Sequence, residues 1–272
     1  MKIVSFNMNS IRARPHQLIH LRDTLDPDII GIQETKVNDP EFPIDEIKEI
    51  GYHPEYWGQK GHYGVAILSK KKPIEVQKGF LKDTAEDQKR FIQAKFKWGK
   101  KKITVMNGYF PQGENRSHET KFPKKIKYYA DLKKHIKKTQ KTEDNLIVMG
   151  DFNVAPFDSD VGDPIFWEPG VTHTSLPERE ALEFFQTRAK VSDVVRPSIP
   201  EGYTFWDYKQ GKFAKDHGLR IDFLYGSSDI TDRVVEVNIH REERTKESPS
   251  DHVPVSVEID DLGDDDDRPM VF

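Results

Sequence analysis

The chain has 272 residues, 32% of them charged, and a formal net charge of −4. That length accommodates one large domain or two small ones, and the charged fraction implies a well-solvated surface. The absence of cysteine excludes disulfides, thiolate nucleophiles and thiolate metal sites. Any metal would then take oxygen or imidazole ligands, which favours a hard ion such as magnesium or manganese.

In chain order, short apolar, β-branched runs of strand length fall at 2–6, 28–32, 64–68, 91–96, 103–109, 146–149, 221–225, 234–239 and 253–259. Helical patterns lie between several of them. The first, 15–25, carries Leu18, Ile19, Leu21 and Leu25. The second, 124–138, sets Ile126, Tyr129, Leu132 and Ile136 on the apolar side of a lysine-rich amphipath. The third, 178–189, is entered through Leu176 and Pro177. No fixed-period repeat or Gly/Ser-rich linker divides the chain, and strands outnumber helices. Two mixed sheets packed face to face with helices outside satisfy this pattern in a single domain, 1–259.

No apolar run approaches the roughly 18 residues needed to span a bilayer, and no secretory pattern precedes the first strand. The expectation is a soluble, cytoplasmic monomer with no membrane partner. The six aspartates and one arginine from Asp260 onward contribute −5, which leaves about +1 on the rest of the chain. The segment 260–272 is expected to be a disordered acidic tail. Between Lys121 and Lys141, lysine recurs with only Asp131 against it. A basic stripe able to neutralise phosphates and a solvated helix face both fit this asymmetry.

Polar residues stand directly at the ends of the apolar runs. Asn7 and Asn9 follow the first, Gln33, Glu34 and Thr35 the second, and Asn107, Gly108 and Tyr109 close the fifth. Asp151 and Asn153 follow the sixth, and Ser250, Asp251 and His252 precede the last. Singly, each reads equally as a turn former, a helix cap or a structural histidine. Together they make a set of carboxylates, amides, a tyrosine and a histidine at strand ends, where α/β proteins build sites. The set suits phosphodiester hydrolysis: a carboxylate to hold a metal, another to activate water, and amide and phenol donors for phosphate.

At these residues the sequence resembles the exonuclease III family of apurinic/apyrimidinic endonucleases. The similarity runs from Met1 to about Ile259 through Asn7-Met8-Asn9, Gln33-Glu34-Thr35-Lys36, Gly58-Gln59-Lys60-Gly61, Asn107-Gly108-Tyr109-Phe110-Pro111-Gln112-Gly113 and Lys121-Phe122-Pro123. It continues through Gly150-Asp151-Phe152-Asn153, Gly218-Leu219-Arg220-Ile221-Asp222 and Pro249-Ser250-Asp251-His252.

The resemblance implies a four-layer α/β sandwich of two packed mixed β-sheets flanked by helices, the DNase I-like fold. It implies a magnesium-dependent nuclease, with manganese as a substitute, that cuts double-stranded DNA 5′ to abasic sites. Accompanying 3′-5′ exonuclease activity and cleaning of blocked 3′ ends are also implied. By the same resemblance Glu34 is the principal metal ligand, with Asn7 and Asp251 close to the metal. Asp151 positions or activates water, Asn153 and Tyr109 contact phosphate, and His252 acts on the transition state with Asp222 orienting it. Phe205, Trp206 and Leu219 would wall a small apolar pocket for a flipped-out abasic sugar. Lys36, Arg90, Gln112 and Lys121 match DNA-contacting positions.

Two departures stand out. Ser10 takes the place of a usual glycine, and the stretch 158–174 matches poorly, which leaves the balance of endonuclease, exonuclease and 3′-phosphatase activity open. A general DNase, an inositol-phosphate phosphatase or a sphingomyelinase of the same sandwich class, and a binding module that has lost catalysis, are the competing readings. The last of these would need a missing catalytic position, and none is missing.

Overall fold

The computed structural model describes residues 1–84, 87–139 and 145–260. The acidic tail from residue 261 onward lies outside the described residues. The first half contains β1 (Lys2–Asn7), α1 (Pro15–Leu25), β2 (Ile29–Gln33), α2 (Ile44–Glu49), β3 (His53–Trp57) and β4 (Val65–Ser69). Next come β5 (Glu75–Lys78), β6 (Phe91–Trp98), β7 (Lys101–Tyr109), α3 (Lys121–Thr139) and β8 (Asn145–Asp151). The remainder is α4 (Leu176–Ala189), β9 (Ser192–Asp193), β10 (Asp222–Gly226), α5 (Ser228–Thr231), β11 (Val234–Ile239) and β12 (Val255–Ile259).

These strands form two six-stranded mixed sheets, in the orders β11-β12-β1-β2-β4-β3 and β5-β6-β7-β8-β10-β9. Side chains alternate across each strand, and β2, β4, β8 and β10 bury both faces along their whole length. Ile3, Ile29 and Ile67 of one sheet meet Val105, Ile147 and Leu224 of the other in a shared core. Val4 and Phe6, one step along β1, instead pack outward with Leu18 and Leu21 of α1. On the opposite side Met106 and Val148 receive Tyr129, Leu132 and Ile136 of α3 and Leu182 and Phe185 of α4. The result is the four-layer sandwich. With 11 residues α1 is too short to persist alone in water, so this docking is what keeps it helical. No helix among the described residues is long and apolar enough to cross a membrane.

Several boundaries differ from expectation, each for a physical reason. The strand expected from 253 starts at Val255, because Pro254 has no N–H to give a ladder. The helix expected from 124 starts at Lys121, since Pro123 is tolerated in a first turn whose N–H groups lack helical partners. The strands β3 and β5 sit at sheet edges with half-exposed, polar sequences, HPEYW and EVQK, that carry no apolar alternation.

The topology gathers the site. The pairs β1/β2 and β7/β8 are parallel, so their C-terminal ends share a direction, and β10 runs antiparallel to β8 so that its first residue meets the last of β8. Register places Asn7 opposite Gln33, Tyr109 opposite Asp151, and Asp222 opposite Asp151. Gly150 makes this possible: its φ is 144°, and a β-carbon there would lie 1.9 Å from the Gly108 carbonyl oxygen.

Candidate active site

Beyond β1 and β2 the ladder continues into the loops. Met8 N–H donates to the Gln33 carbonyl at 3.1 Å and Ser10 N–H to the Glu34 carbonyl at 2.8 Å. The loops turn through left-handed residues, with φ of 48° at Asn9, 103° at Ser10, 53° at Glu34 and 54° at Asn153. Such conformations each cost roughly 1–3 kcal/mol for a side-chain-bearing residue, and they persist where surrounding bonds over-determine them. Ser10, in the place of a family glycine, is held in that region by the ladder.

Beneath the loops an amide network joins the sheets. Gln33 Nε2 donates to Asn107 Oδ1 at 2.6 Å, and Asn107 Nδ2 donates to the carbonyls of Ile32 and Ala66 at 2.9 and 2.8 Å. Asn7, fully buried, donates from Nδ2 to both Glu34 Oε1 and Asp151 Oδ2, at 3.0 Å each. It thereby bridges a carboxylate of one sheet to a carboxylate of the other. Asp151 Oδ1 accepts the backbone N–H of Asn153 at 2.9 Å.

His252 closes the group from the third side. Its Nδ1 lies 2.9 Å from Asp222 Oδ2 and its Nε2 lies 3.8 Å from Asp151 Oδ2. The Phe205 ring covers it at 4.9 Å. The backbone N–H of His252 donates to Ser250 Oγ at 3.2 Å, and that hydroxyl donates to the Asn7 carbonyl at 2.7 Å. The loop carrying the histidine is thus bolted to the end of β1. Burial works against charge on His252, but the carboxylates of Asp222 and Asp151 outweigh it and raise the imidazole above its ordinary value. Burial raises the Asp151 carboxyl, with Asp222 and Glu34 adding to the rise and His252 opposing it. Glu34 goes the other way. Burial penalises its charge, yet Lys36, Asn7 and His252 hold it below its ordinary value, so it is ionised at neutral pH.

Tyr109 is half-buried, and burial, then Glu34 and Asp151, push its hydroxyl well up, so it stays protonated and serves as a donor. The Arg90 guanidinium lies 4.7 Å over its ring and 4.4 Å over that of Tyr63, and donates to the Tyr109 carbonyl at 3.1 Å. At 9% exposure Arg90 stands behind Tyr109 and offers little surface of its own.

Asn153 is oriented by a chain of hydrogen bonds. Its Nδ2 donates to the Phe110 carbonyl at 2.9 Å, which leaves Oδ1 facing His173 Nε2 at 3.1 Å. Since Oδ1 can only accept, His173 carries its proton on Nε2, and Nδ1 accepts from the Thr172 hydroxyl at 3.2 Å. Burial, reinforced by the nearby Lys125 ammonium, pushes the His173 imidazole down to about 3, so it is neutral. Lys125 and Glu178, both wholly buried, form an ion pair behind this chain. Lys125 Nζ also donates to the carbonyls of Asn153 and Gln112, at 2.6 and 3.2 Å. The lysine stripe of α3 therefore loses Lys125, while Lys121, Lys124, Lys127, Lys134, Lys137 and Lys138 remain exposed.

Among the described residues, Glu34, Asp151 and His252 offer ligand atoms within 4.8 Å of one another. His252 has its charged form favoured by Asp222 and Asp151, and an imidazolium has donors on both nitrogens and no free lone pair for a metal. The oxygens of Glu34 and Asp151 are hard donors that suit a divalent cation, whereas Asn7 donates from Nδ2 to both carboxylates and accepts the Asn9 N–H on Oδ1, so it orients them. Asp251 lies outside that group. Its Oδ1 accepts from Asn9 Nδ2 at 2.9 Å, and Asn9 Oδ1 in turn accepts from Lys36.

The apolar residues divide. Leu219 and Ile221 pack with Ala155, and half-buried Phe205 lies on them. Trp206 does not join them: it is fully buried, donates its indole N–H to Asp216 at 3.1 Å, and packs edge-on against Phe213 and Tyr203. The chain at Phe205 is extended, bridging Leu219 and His252, so the next side chain faces the other way. Trp206, expected beside Phe205 and Leu219, therefore lies apart from them, and Ile221 is the residue that packs with Leu219 under Phe205. Of the remaining expected DNA contacts, Lys36 pairs with Glu34 at 2.9 Å, and exposed Gln112 and Lys121 bond to Thr172 and Glu114. Sequence reasoning missed His173, Lys125 and Glu178. The Ser175–Glu178 spacing of a capping box was the one available signal for the last of these.

The endonuclease/exonuclease/phosphatase family matches residues 4–252 of this chain. Exodeoxyribonuclease III of Haemophilus influenzae is 41% identical over 266 residues, covering 95% of this chain and 100% of that protein. A 3′ phosphatase from Neisseria, solved with a product DNA hairpin, superposes with a TM-score of 0.88 at 33% identity, covering 96% of this chain and 99% of its own. An AP endonuclease from Archaeoglobus fulgidus superposes with a TM-score of 0.87 at 34% identity, again covering 96% of this chain and 99% of its own.

Proposed function

The chain belongs to the endonuclease/exonuclease/phosphatase family, on its exonuclease III branch, and from that premise we propose how its site works and on what. The protein is a DNA-repair nuclease, a hydrolase that also cleans 3′ ends. Its substrate in this reading is double-stranded DNA carrying an abasic site or a blocked 3′ end, and its ion is magnesium, with manganese able to substitute. The observation that carries the proposal is the convergence of Glu34, Asp151 and His252 within 4.8 Å, with Asn7 bridging the two carboxylates.

Glu34, with Asp151 beside it, would hold a divalent cation, which would supply Lewis acidity toward the charge on the phosphoryl oxygens. The chain's own residues do the rest. Asp151 holds the attacking water and accepts its proton, its second oxygen kept in place by the Asn153 backbone N–H. The remaining Nδ2 hydrogen of Asn153 and the Tyr109 hydroxyl donate to the phosphate, and both donors are fixed before substrate arrives. The His252 imidazolium faces the charge that develops on phosphorus-bound oxygen, with Asp222 fixing its orientation. An abasic sugar enters the apolar slot of Phe205, Leu219 and Ile221, where a base-bearing nucleotide would overfill the space. Every named group comes from one chain, so one copy suffices.

A labelled duplex with one tetrahydrofuran abasic analogue tests this. Incision 5′ to the analogue is expected with magnesium and is expected to vanish with EDTA. Magnesium-dependent degradation only from the 3′ ends, with the analogue untouched, would reject the abasic reading.

A further inference from the structure

We propose that Phe166, from the divergent stretch between β8 and α4, is a second wall of the sugar slot and sets its width, and hence its discrimination against nucleotides that retain a base. The inference rests on the abasic reading and names a specificity determinant within it. Phe166 is half-buried and packs, like Phe205, on the floor made by Ala155, Leu219 and Ile221. Its ring meets His173 edge-on at 5.2 Å, and His173 orients Asn153. The phenyl group therefore touches both the cluster that carries Phe205 and the histidine that orients Asn153.

The backbone holding it is pinned on three sides. Thr174 Oγ1 donates to the Phe166 carbonyl at 2.8 Å, and the Phe166 N–H donates to the Asp163 carbonyl at 3.2 Å. Asp163 caps the turn through Ile165 N–H at 3.2 Å and pairs with Lys212 at 2.8 Å, which ties the turn to the segment after Phe205. Its neighbours Ile165 and Trp167 are 42% and 48% exposed. A turn that exposes two large apolar side chains while directing the third inward is built to place that one. Because the slot's walls are apolar, exclusion must come from shape, and a wall of one phenyl ring is the lever for it.

Phe166→Ala and Phe166→Leu separate this from a packing role. Incision is compared at tetrahydrofuran and at a mispaired, base-bearing nucleotide in the same duplex position. The ratio is expected to fall by roughly tenfold or more in Phe166→Ala, through a rise in cutting at the base-bearing site, and by less in Phe166→Leu. A gain in rate on the wrong substrate cannot come from misfolding. Should the alanine variant fail to fold, the leucine variant carries the same sign. An unchanged ratio in both, with wild type cutting tetrahydrofuran, overturns the role of Phe166 alone. A wild type that does not cut tetrahydrofuran overturns the abasic reading and this proposal with it.

Discussion

Replacing Asp151 with asparagine is expected to lower kcat by roughly 10²–10⁴-fold while leaving DNA affinity within a few-fold of wild type. The side chain is the proposed acceptor of the proton from water, and an amide has no basicity to offer. It is also isosteric, so Asn153 and Tyr109, the proposed phosphate donors, keep their places. One local cost arises: Asp151 accepts from both Asn7 and the Asn153 N–H, and an amide can accept at only one of these two positions. An unmet donor costs roughly 1–3 kcal/mol. Against that, Asp151 is a buried carboxylate whose charge is disfavoured by burial, Asp222 and Glu34, and neutralising it removes this strain. Single-turnover rates and equilibrium binding to the same tetrahydrofuran duplex separate the two effects. A variant that loses binding and rate together would assign Asp151 to substrate affinity instead.

Asp222→Asn is expected to move the alkaline limb of the kcat–pH profile to lower pH and to cut kcat at neutral pH by roughly ten- to a hundredfold. Burial alone would make His252 a weaker base; the carboxylates of Asp222, foremost, and Asp151 reverse this. Without Asp222 the imidazolium is lost at a lower pH. The sign for stability follows from the same shift. A histidine whose folded value is raised contributes stability that is fully present below its unfolded value of about 6.5 and is lost as pH rises through the folded value. The difference in Tm between wild type and variant should therefore be wider just below about pH 6.5, where both partners are charged, than in alkali. An alkaline limb that stays put would mean that His252 does not act as the imidazolium.

The layout of the site was legible in the sequence wherever an apolar run ended on a polar residue. Asn7, Glu34, Tyr109 and Asp151 all stand at such ends; each alone also reads as a turn former or cap, and it is their recurrence at several strand mouths that points to one site. The pairing of Asp222 with His252 was not available from spacing, since 30 residues separate them, and it came only with the resemblance. Lys125 was hidden for a different reason. Amphipathic patterning counts every lysine as solvent-facing, and it cannot see a buried glutamate waiting on another helix. Phe205 and Trp206 are adjacent aromatics, and only the extended backbone decides which one packs on Leu219 and Ile221. The edge strands β3 and β5 escaped because half-exposed strands have no continuous apolar run.

In the proposed reaction, water held at Asp151 hydrolyses the bond 5′ to an abasic site. Cleaving a duplex with a natural abasic site in ¹⁸O-labelled water, followed by mass spectrometry of both fragments, tests it most directly. The expected products are an upstream fragment ending in a 3′-hydroxyl and a downstream fragment with one ¹⁸O in its 5′-phosphate. An upstream fragment ending in an unsaturated aldehyde, with no label in either phosphate, would mean elimination rather than hydrolysis and would contradict the role given to Asp151.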